Sequence, residues 1–206
     1  MRLHLSAPLG ACLLAFGTIA SPVLAQSSQT AVFAGGCFWS VEKNFDAVSG
    51  VTQTISGFSG GDVANPSYRQ VIGGGTGHVE AVQVTYDPAV VSYGELLDAF
   101  WHSIDPTDPR GQFCDKGPQY ETVVFVSGDA ERAEAKATKA SVASELGANV
   151  STRIEPAATF YAAEDEHQDF HLRNSAHYQR YAVGCGRDAS LARVWGDRAF
   201  TSASRM

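Results

Sequence analysis

The sequence predicts an α/β protein. Segments with the two-residue alternation of strands are interleaved along the chain with segments whose apolar residues recur at helical spacing, and Gly, Pro and Asp clusters separate them. At 206 residues the chain has the size of one large or two small domains, and no internal repeat or long linker divides it. Residues 31–33 are a short apolar run suited to a buried strand, after which Phe38, Val41 and Phe45 recur as the inner face of a helix. Residues 51–58 alternate as a strand with one buried face, and 59–62 turn it. Residues 65–72 read as a turn leading into a short helix. The glycines of 73–77 suggest a phosphate cradle, but no Gly-Lys-Ser/Thr ending follows and a strand comes next, which excludes that reading. That strand is 78–86. A helix over 93–104 stops at Asp105-Pro106-Thr107-Asp108-Pro109, and 111–120 is a loop. A strand over 122–126 gives way to an alanine-rich helix ending near 146, with Gly147 as its stop. Residues 152–160 read as a strand, 163–174 as a helix and 181–186 as a mobile tail segment, with an ordered stretch at 191–195.

Charge and targeting narrow the function classes. The formal net charge is −7, from 15 Lys and Arg against 22 Asp and Glu, and no basic cluster is present to meet phosphates, which argues against nucleic acid or an anionic membrane as partner. Residues 1–25 carry a weakly basic start, an apolar stretch and small residues up to Ala25, the pattern of a cleaved export signal. Leu9-Gly10-Ala11-Cys12 looks somewhat like a lipid-attachment site, but too little apolar sequence precedes it. The expectation is a single exported domain, 26–206, periplasmic or secreted, not membrane-bound in its mature form and monomeric.

Export gives the cysteines meaning. Without Cys12 the chain keeps Cys37, Cys114 and Cys185, an odd number that cannot all pair internally, so a free or cycling thiol is expected where thiols otherwise oxidise. The competing reading is one static disulfide and a buried spare. Cys37 follows Gly35-Gly36 at the point where a strand becomes a helix, and the helix N-terminus favours an anion there, so the thiol pKa is expected to fall. In 78–86, Glu80 shares a face with Val82, Val84 and Tyr86. An acid on an apolar face is costly unless paired, protonated or at a cavity, and a neutral carboxyl near pH 7 can donate a proton. The spacing of His167 and His171 would suit a metal on one helix face, but no third ligand accompanies them.

Together, Gly36-Cys37-Phe38-Trp39, Asn65-Pro66-Ser67-Tyr68, Thr76-Gly77-His78-Val79-Glu80, Tyr86-Asp87-Pro88, Asp105-Pro106-Thr107, Asp115 with Gly117, Gln119-Tyr120 and His167-Gln168 resemble, in order, the A-type peptide methionine sulfoxide reductases. The resemblance implies a two-layer sandwich with a mixed central sheet and flanking helices, a ferredoxin-like plait. It implies reduction of methionine (S)-sulfoxide, in proteins and as the free amino acid, without metal or organic cofactor, recycled by a thioredoxin-like dithiol. Cys37 matches the nucleophile, Glu80 the acid, and Tyr68 and Tyr120 the tyrosines that hold the sulfoxide oxygen. Phe38 and Trp39 match the walls around the substrate methyl group, and Asp115 a polar residue lining the same site. Three departures stand out: Ile104 where His usually precedes Asp-Pro-Thr, Glu121 where Arg is usual, and a resolving thiol that is either Cys185, the favoured one, or Cys114. A thiol hydrolase using Cys37 with His78 or His167 as base, or a redox-sensing domain, are the alternatives. Glu80 with two tyrosines suits an oxygen leaving group better than an acyl intermediate.

Overall fold

A computed structural model describes residues 28–200, so residues 1–25, where an export signal is expected, and Cys12 among them lie outside the described residues. The opening strand β1 (Gln29–Gly35) leads into α1 (Phe38–Asp46), β2 (Val51–Ser59) and the short α2 (Tyr68–Ile72). Next come β3 (Val79–Tyr86), α3 (Tyr93–His102), and a two-residue hairpin of β4 (Gly111–Gln112) with β5 (Asp115–Lys116). β6 (Thr122–Val126), α4 (Asp129–Leu146), β7 (Arg153–Pro156) and β8 (Tyr161–Ala162) follow, and α5 (Phe170–Arg173), α6 (Ser175–Gly184) and α7 (Arg187–Trp195) close the described chain. Ser67 and Ser92 each cap their helix with a box, to Gln70 and Glu95, which accounts for two of the helix starts. Gly147, at φ 58°, ends α4 as expected.

The sheet runs β7-β6-β1-β3-β2-β8. Its inner four strands, β6-β1-β3-β2, are antiparallel neighbours, with α1 joining β1 to β2 and α3 lying between β3 and β6, which is the ferredoxin-like order. β7 joins the edge parallel to β6 after the α4 crossover, so the sheet is mixed. The two-residue period sorts the side chains. Phe33, Val82, Val84 and Tyr86 join Phe38, Val41, Phe45, Leu96, Phe100 and Trp101 in the main core beneath the helices. Ala34, Val79, Ala81, Val123 and Phe125 form a smaller cluster on the other face, closed by Phe160. Ile104 is fully buried, its carbonyl accepting from Trp195 Nε1–H at 2.7 Å, and Glu121 pairs with Arg153 at 3.6 Å. Among the described residues no helix is long and apolar enough to cross a membrane.

Three elements differ from the sequence expectation. The strand expected over 152–160 ends at Pro156, level with Val126 at the end of β6, and the chain then crosses to pair as β8 with Gly57 and Phe58 of β2. The helix expected over 163–174 is a 3₁₀ turn, Asp165–His167, and the short α5, separated by an extended Gln168 and by Asp169 at φ 52°. Gln168 explains the break. Its side chain accepts from Ser56 N–H and donates to Ser56 O, both at 2.9 Å, and so pairs with β2 as a strand would. The supposed mobile tail is helix α6, with Cys185 as its cap.

Candidate active site

Cys37 is the N-cap residue of α1, and Gly36 makes the turn into it. Gly36 has φ +83°, and a Cβ there would fall 2.6 Å from Gln112 Cβ. Gln112 is itself fully buried: its side chain accepts from Asp105 N–H at 2.8 Å and donates to Asp105 O at 2.8 Å, which ties the Asp-Pro-Thr turn to the β4–β5 hairpin beneath the site.

Glu80 lies on β3 opposite Phe58 and points toward the start of α1. Only 1% of it is exposed, and its carboxyl accepts the Phe38 N–H at 2.9 Å. Burial outweighs that bond and, with the nearby Asp115 charge, pushes its pKa from 4.5 up to about 8. Cys37 is 7% exposed. Burial, and then the Glu80 carboxylate, drive its thiol pKa upward despite hydrogen bonding with the Tyr181 hydroxyl and with the Trp39 N–H. The helix N-terminus thus does not lower the resting thiol as the sequence suggested; desolvation is the larger effect.

The remaining expected residues converge here. The Tyr68 and Tyr120 hydroxyls are raised by burial first and next by Glu80, and each also feels the Cys37 and Asp115 charges, which places both tyrosines around the Cys37–Glu80 pair. Glu164 fixes Tyr68 by accepting its N–H at 2.9 Å. The Phe38 ring stacks on Tyr68, with centroids 6.0 Å apart, and Trp39 lies flat on Phe170 at 3.8 Å. Trp39 Nε1–H donates to His167 Nδ1 at 3.3 Å, and His167 packs 4.0 Å from the Tyr68 ring, with burial lowering its pKa. His167 and His171 do not share a helix face, and His171 instead meets Asp46 at 3.4 Å.

Sequence reasoning missed Tyr181. Its hydroxyl donates to Asp115 Oδ2 at 2.5 Å, bonds to the Cys37 thiol, and its ring meets Trp39 edge-on at 5.9 Å. It stands on α6, where Tyr178 and Tyr181 recur at a spacing that reads as an ordinary core stripe; its nearness to Cys185 was the available signal. Cys114 and Cys185, weighed in the sequence as rival partners for Cys37, are bonded to each other with Cα atoms 5.0 Å apart, leaving Cys37 as the free cysteine among the described residues. A groove of about 490 Å³ on the other side of α6, lined by Lys43, Tyr178 and Gly186 among others, includes neither Cys37 nor Glu80.

Residues 29–199 match the family model described as peptide methionine sulfoxide reductase. The peptide methionine sulfoxide reductase MsrA 2 of Caulobacter vibrioides is 48% identical over 187 residues, which is 90% of this chain and 95% of that relative. The crystal structure of Mxr1 from Saccharomyces cerevisiae in reduced form is similar with a TM-score of 0.69 and 32% identity, over 72% of this chain and 86% of that one. Mxr1 in complex with Trx2 matches with a TM-score of 0.51 over 74% of this chain and 91% of that one, and at 22% identity it speaks to the fold alone.

Proposed function

The chain belongs to the peptide methionine sulfoxide reductase family of oxidoreductases, and on that premise we propose that it reduces the S epimer of methionine sulfoxide, in proteins and as the free amino acid, with Cys37 as nucleophile. The observation that carries this reading is the junction of β3 and α1, where a carboxyl that is largely protonated at neutral pH bonds the amide next to a buried thiol. Phe38 and Trp39 supply an apolar slot for the S-methyl group, and Tyr68 and Tyr120 supply hydroxyl donors for the sulfoxide oxygen, with Asp115 at the rim. Glu80 gives its proton to that oxygen as Cys37 attacks the sulfur, and the proton shed by the thiol restores Glu80. Attack joins the Cys37 sulfur to the substrate sulfur; that S–S bond and the substrate S–O bond then break as the hydroxyl passes to the Cys37 sulfur, which leaves a sulfenic acid on Cys37 and releases methionine. A raised resting thiol pKa fits this order, because the thiolate forms only as the acid at its side passes on a proton.

Recycling is proposed to run through the other two cysteines. Cys185 condenses with the sulfenic acid, releasing water, and Cys114 then displaces Cys37 to form the bond seen here. A thioredoxin-like dithiol reduces that bond. Mxr1, which in its reduced form is 32% identical to this chain, is itself solved in complex with Trx2, and that supports a donor of this chemistry. The acting form is proposed to be residues 26–206, an exported monomer freed of residues 1–25.

The test is methionine formation from each sulfoxide epimer separately with dithiothreitol. Turnover confined to the S epimer is expected, and Cys37→Ser is expected to abolish it even with excess reductant, since a hydroxyl is far less nucleophilic toward sulfur than a thiolate. Appreciable turnover by Cys37→Ser would overturn the mechanism.

A further inference from the structure

Two backbone segments meet at the Cys114–Cys185 bond, and each presents a polar group to Cys37 within a few residues of it. Asp115 directly follows Cys114. Tyr181 lies one helical turn before Cys185, whose N–H donates to Tyr181 O at 2.9 Å. The sulfurs join the segments on the outside and the Tyr181 hydroxyl joins them to the Asp115 carboxylate on the inside, so the two links close one ring. Exposure differs across it: Cys114 is exposed and Cys185 partly so, whereas Cys37 is buried beneath Tyr181.

We propose that Tyr181 is a positioning residue, holding Asp115 beside Cys37 and covering the thiol, and that the Cys114–Cys185 bond keeps Tyr181 in that place. This rests on Cys37 being the reactive thiol of the function proposed above. When an external dithiol reduces the bond, its two thiols give up two electrons and two protons to Cys114 and Cys185 and become a disulfide themselves. A cross-link spanning 71 residues is then gone, and the end of α6 is left held to the hairpin by the Tyr181–Asp115 hydrogen bond and the Arg187–Phe113 contact just beyond it. The cover over Cys37 loosens. Substrate is thereby admitted to an enzyme that already has two resolving thiols, and a freshly recycled, still oxidised enzyme is kept from forming a sulfenic acid it cannot resolve.

The experiment follows Cys37 rather than turnover. The full-length domain is alkylated with iodoacetamide, and the Cys37 peptide is quantified by mass mapping. Three forms are compared: the disulfide form, the form reduced with dithiothreitol and desalted, and a Cys114→Ser/Cys185→Ser variant. Cys37 is expected to react on the order of tenfold more slowly in the disulfide form than in either open form, as access and thiolate character both control thiol reactivity. In Tyr181→Phe the difference between forms is expected to collapse. Equal rates in the closed and open parent would overturn the proposal, as would a difference that survives in Tyr181→Phe. Should Tyr181→Phe fail to fold, Asp115→Ala removes the acceptor of the same bond from the other side and is expected to give the same collapse. Alkylation does not need a sulfoxide, so loss of methionine sulfoxide activity with this pattern intact would refute the substrate reading and leave the gating in place.

Discussion

Glu80 is where a single residue carries most of the chemical argument. Its carboxyl is pushed up to about 8 by burial, so it is mainly protonated below that pH and ionised above it. Activity that needs the protonated acid should therefore be flat through neutrality and fall through an alkaline limb near pH 8. Glu80→Gln keeps an amide near the Phe38 N–H but transfers no proton, and loss of a positioned general acid costs on the order of 10² to 10⁴ in rate. The expected outcome is that loss with the alkaline limb removed, read from kcat/KM against pH. A variant at parent rate with the limb unchanged would make Glu80 structural. The residue was legible in the sequence because it broke the pattern of β3, an acid on the face of Val82, Val84 and Tyr86. The direction of the Cys37 shift was misread for a physical reason. A helix N-terminus can be inferred from spacing, but the desolvation that opposes it comes from burial of the thiol, which tertiary packing sets and spacing does not show.

At the scale of elements, α1 buries a group with no part in the proposed chemistry against the strap after β8. Glu42 is 1% exposed, and neither carboxyl oxygen has a well-formed hydrogen bond; the Asp169 N–H and the Ser56 hydroxyl only partly offset burial, which pushes its pKa from 4.5 to about 7. Because the folded pKa lies above the unfolded one, Glu42 favours the unfolded chain increasingly as pH rises from about 4.5 to about 7, after which the effect is constant. Glu42→Gln removes this term, so its stability relative to the parent should rise across that window. Urea midpoints at pH 5 and pH 7.5 measure it, and a difference independent of pH would assign Glu42 to some other role. The same region shows what periodicity does not reveal. Strands β2, β3 and β6 and helices α3 and α4 follow from local patterns and caps, whereas the helix expected over 163–174 is broken by Gln168, whose partner is Ser56, 112 residues away. Gly36 is a second such point. With φ +83° and Gln112 packed against it, Gly36→Ala should cost about 1–3 kcal/mol, within the usual range for a strained non-glycine backbone. Thermal unfolding of the variant measures that cost.

The whole molecule places the covered Cys37 thiol near a more accessible pair of sulfurs, and the order in which they are proposed to act follows from what each sulfur is attached to. Cys114 lies in a hairpin fixed on both sides. Gln112 is bonded to Asp105, Phe113 adopts φ 52° with the Arg187 guanidinium 4.6 Å over its ring, and Asp115 is held by Tyr181. Cys185 caps α6 between Gly184 and Gly186, the latter at φ 62°, so its segment can pivot with little steric cost. A disulfide needs Cα atoms roughly 4.4–6.8 Å apart, and the partner at a helix end between two glycines, rather than the one in the braced hairpin, is the one that can bring its Cα to Cys37 once the bond between them is open. Cys185 is therefore expected to condense first with the Cys37 sulfenic acid, and Cys114 to take over the bond afterwards. In a single turnover without reductant, Cys114→Ser should stop at a Cys37–Cys185 disulfide formed at the parent rate. Cys185→Ser should leave a sulfenic acid on Cys37 that dimedone traps. Peptide mass mapping distinguishes the two, and a Cys37–Cys114 disulfide formed at the parent rate in Cys185→Ser would reverse the order.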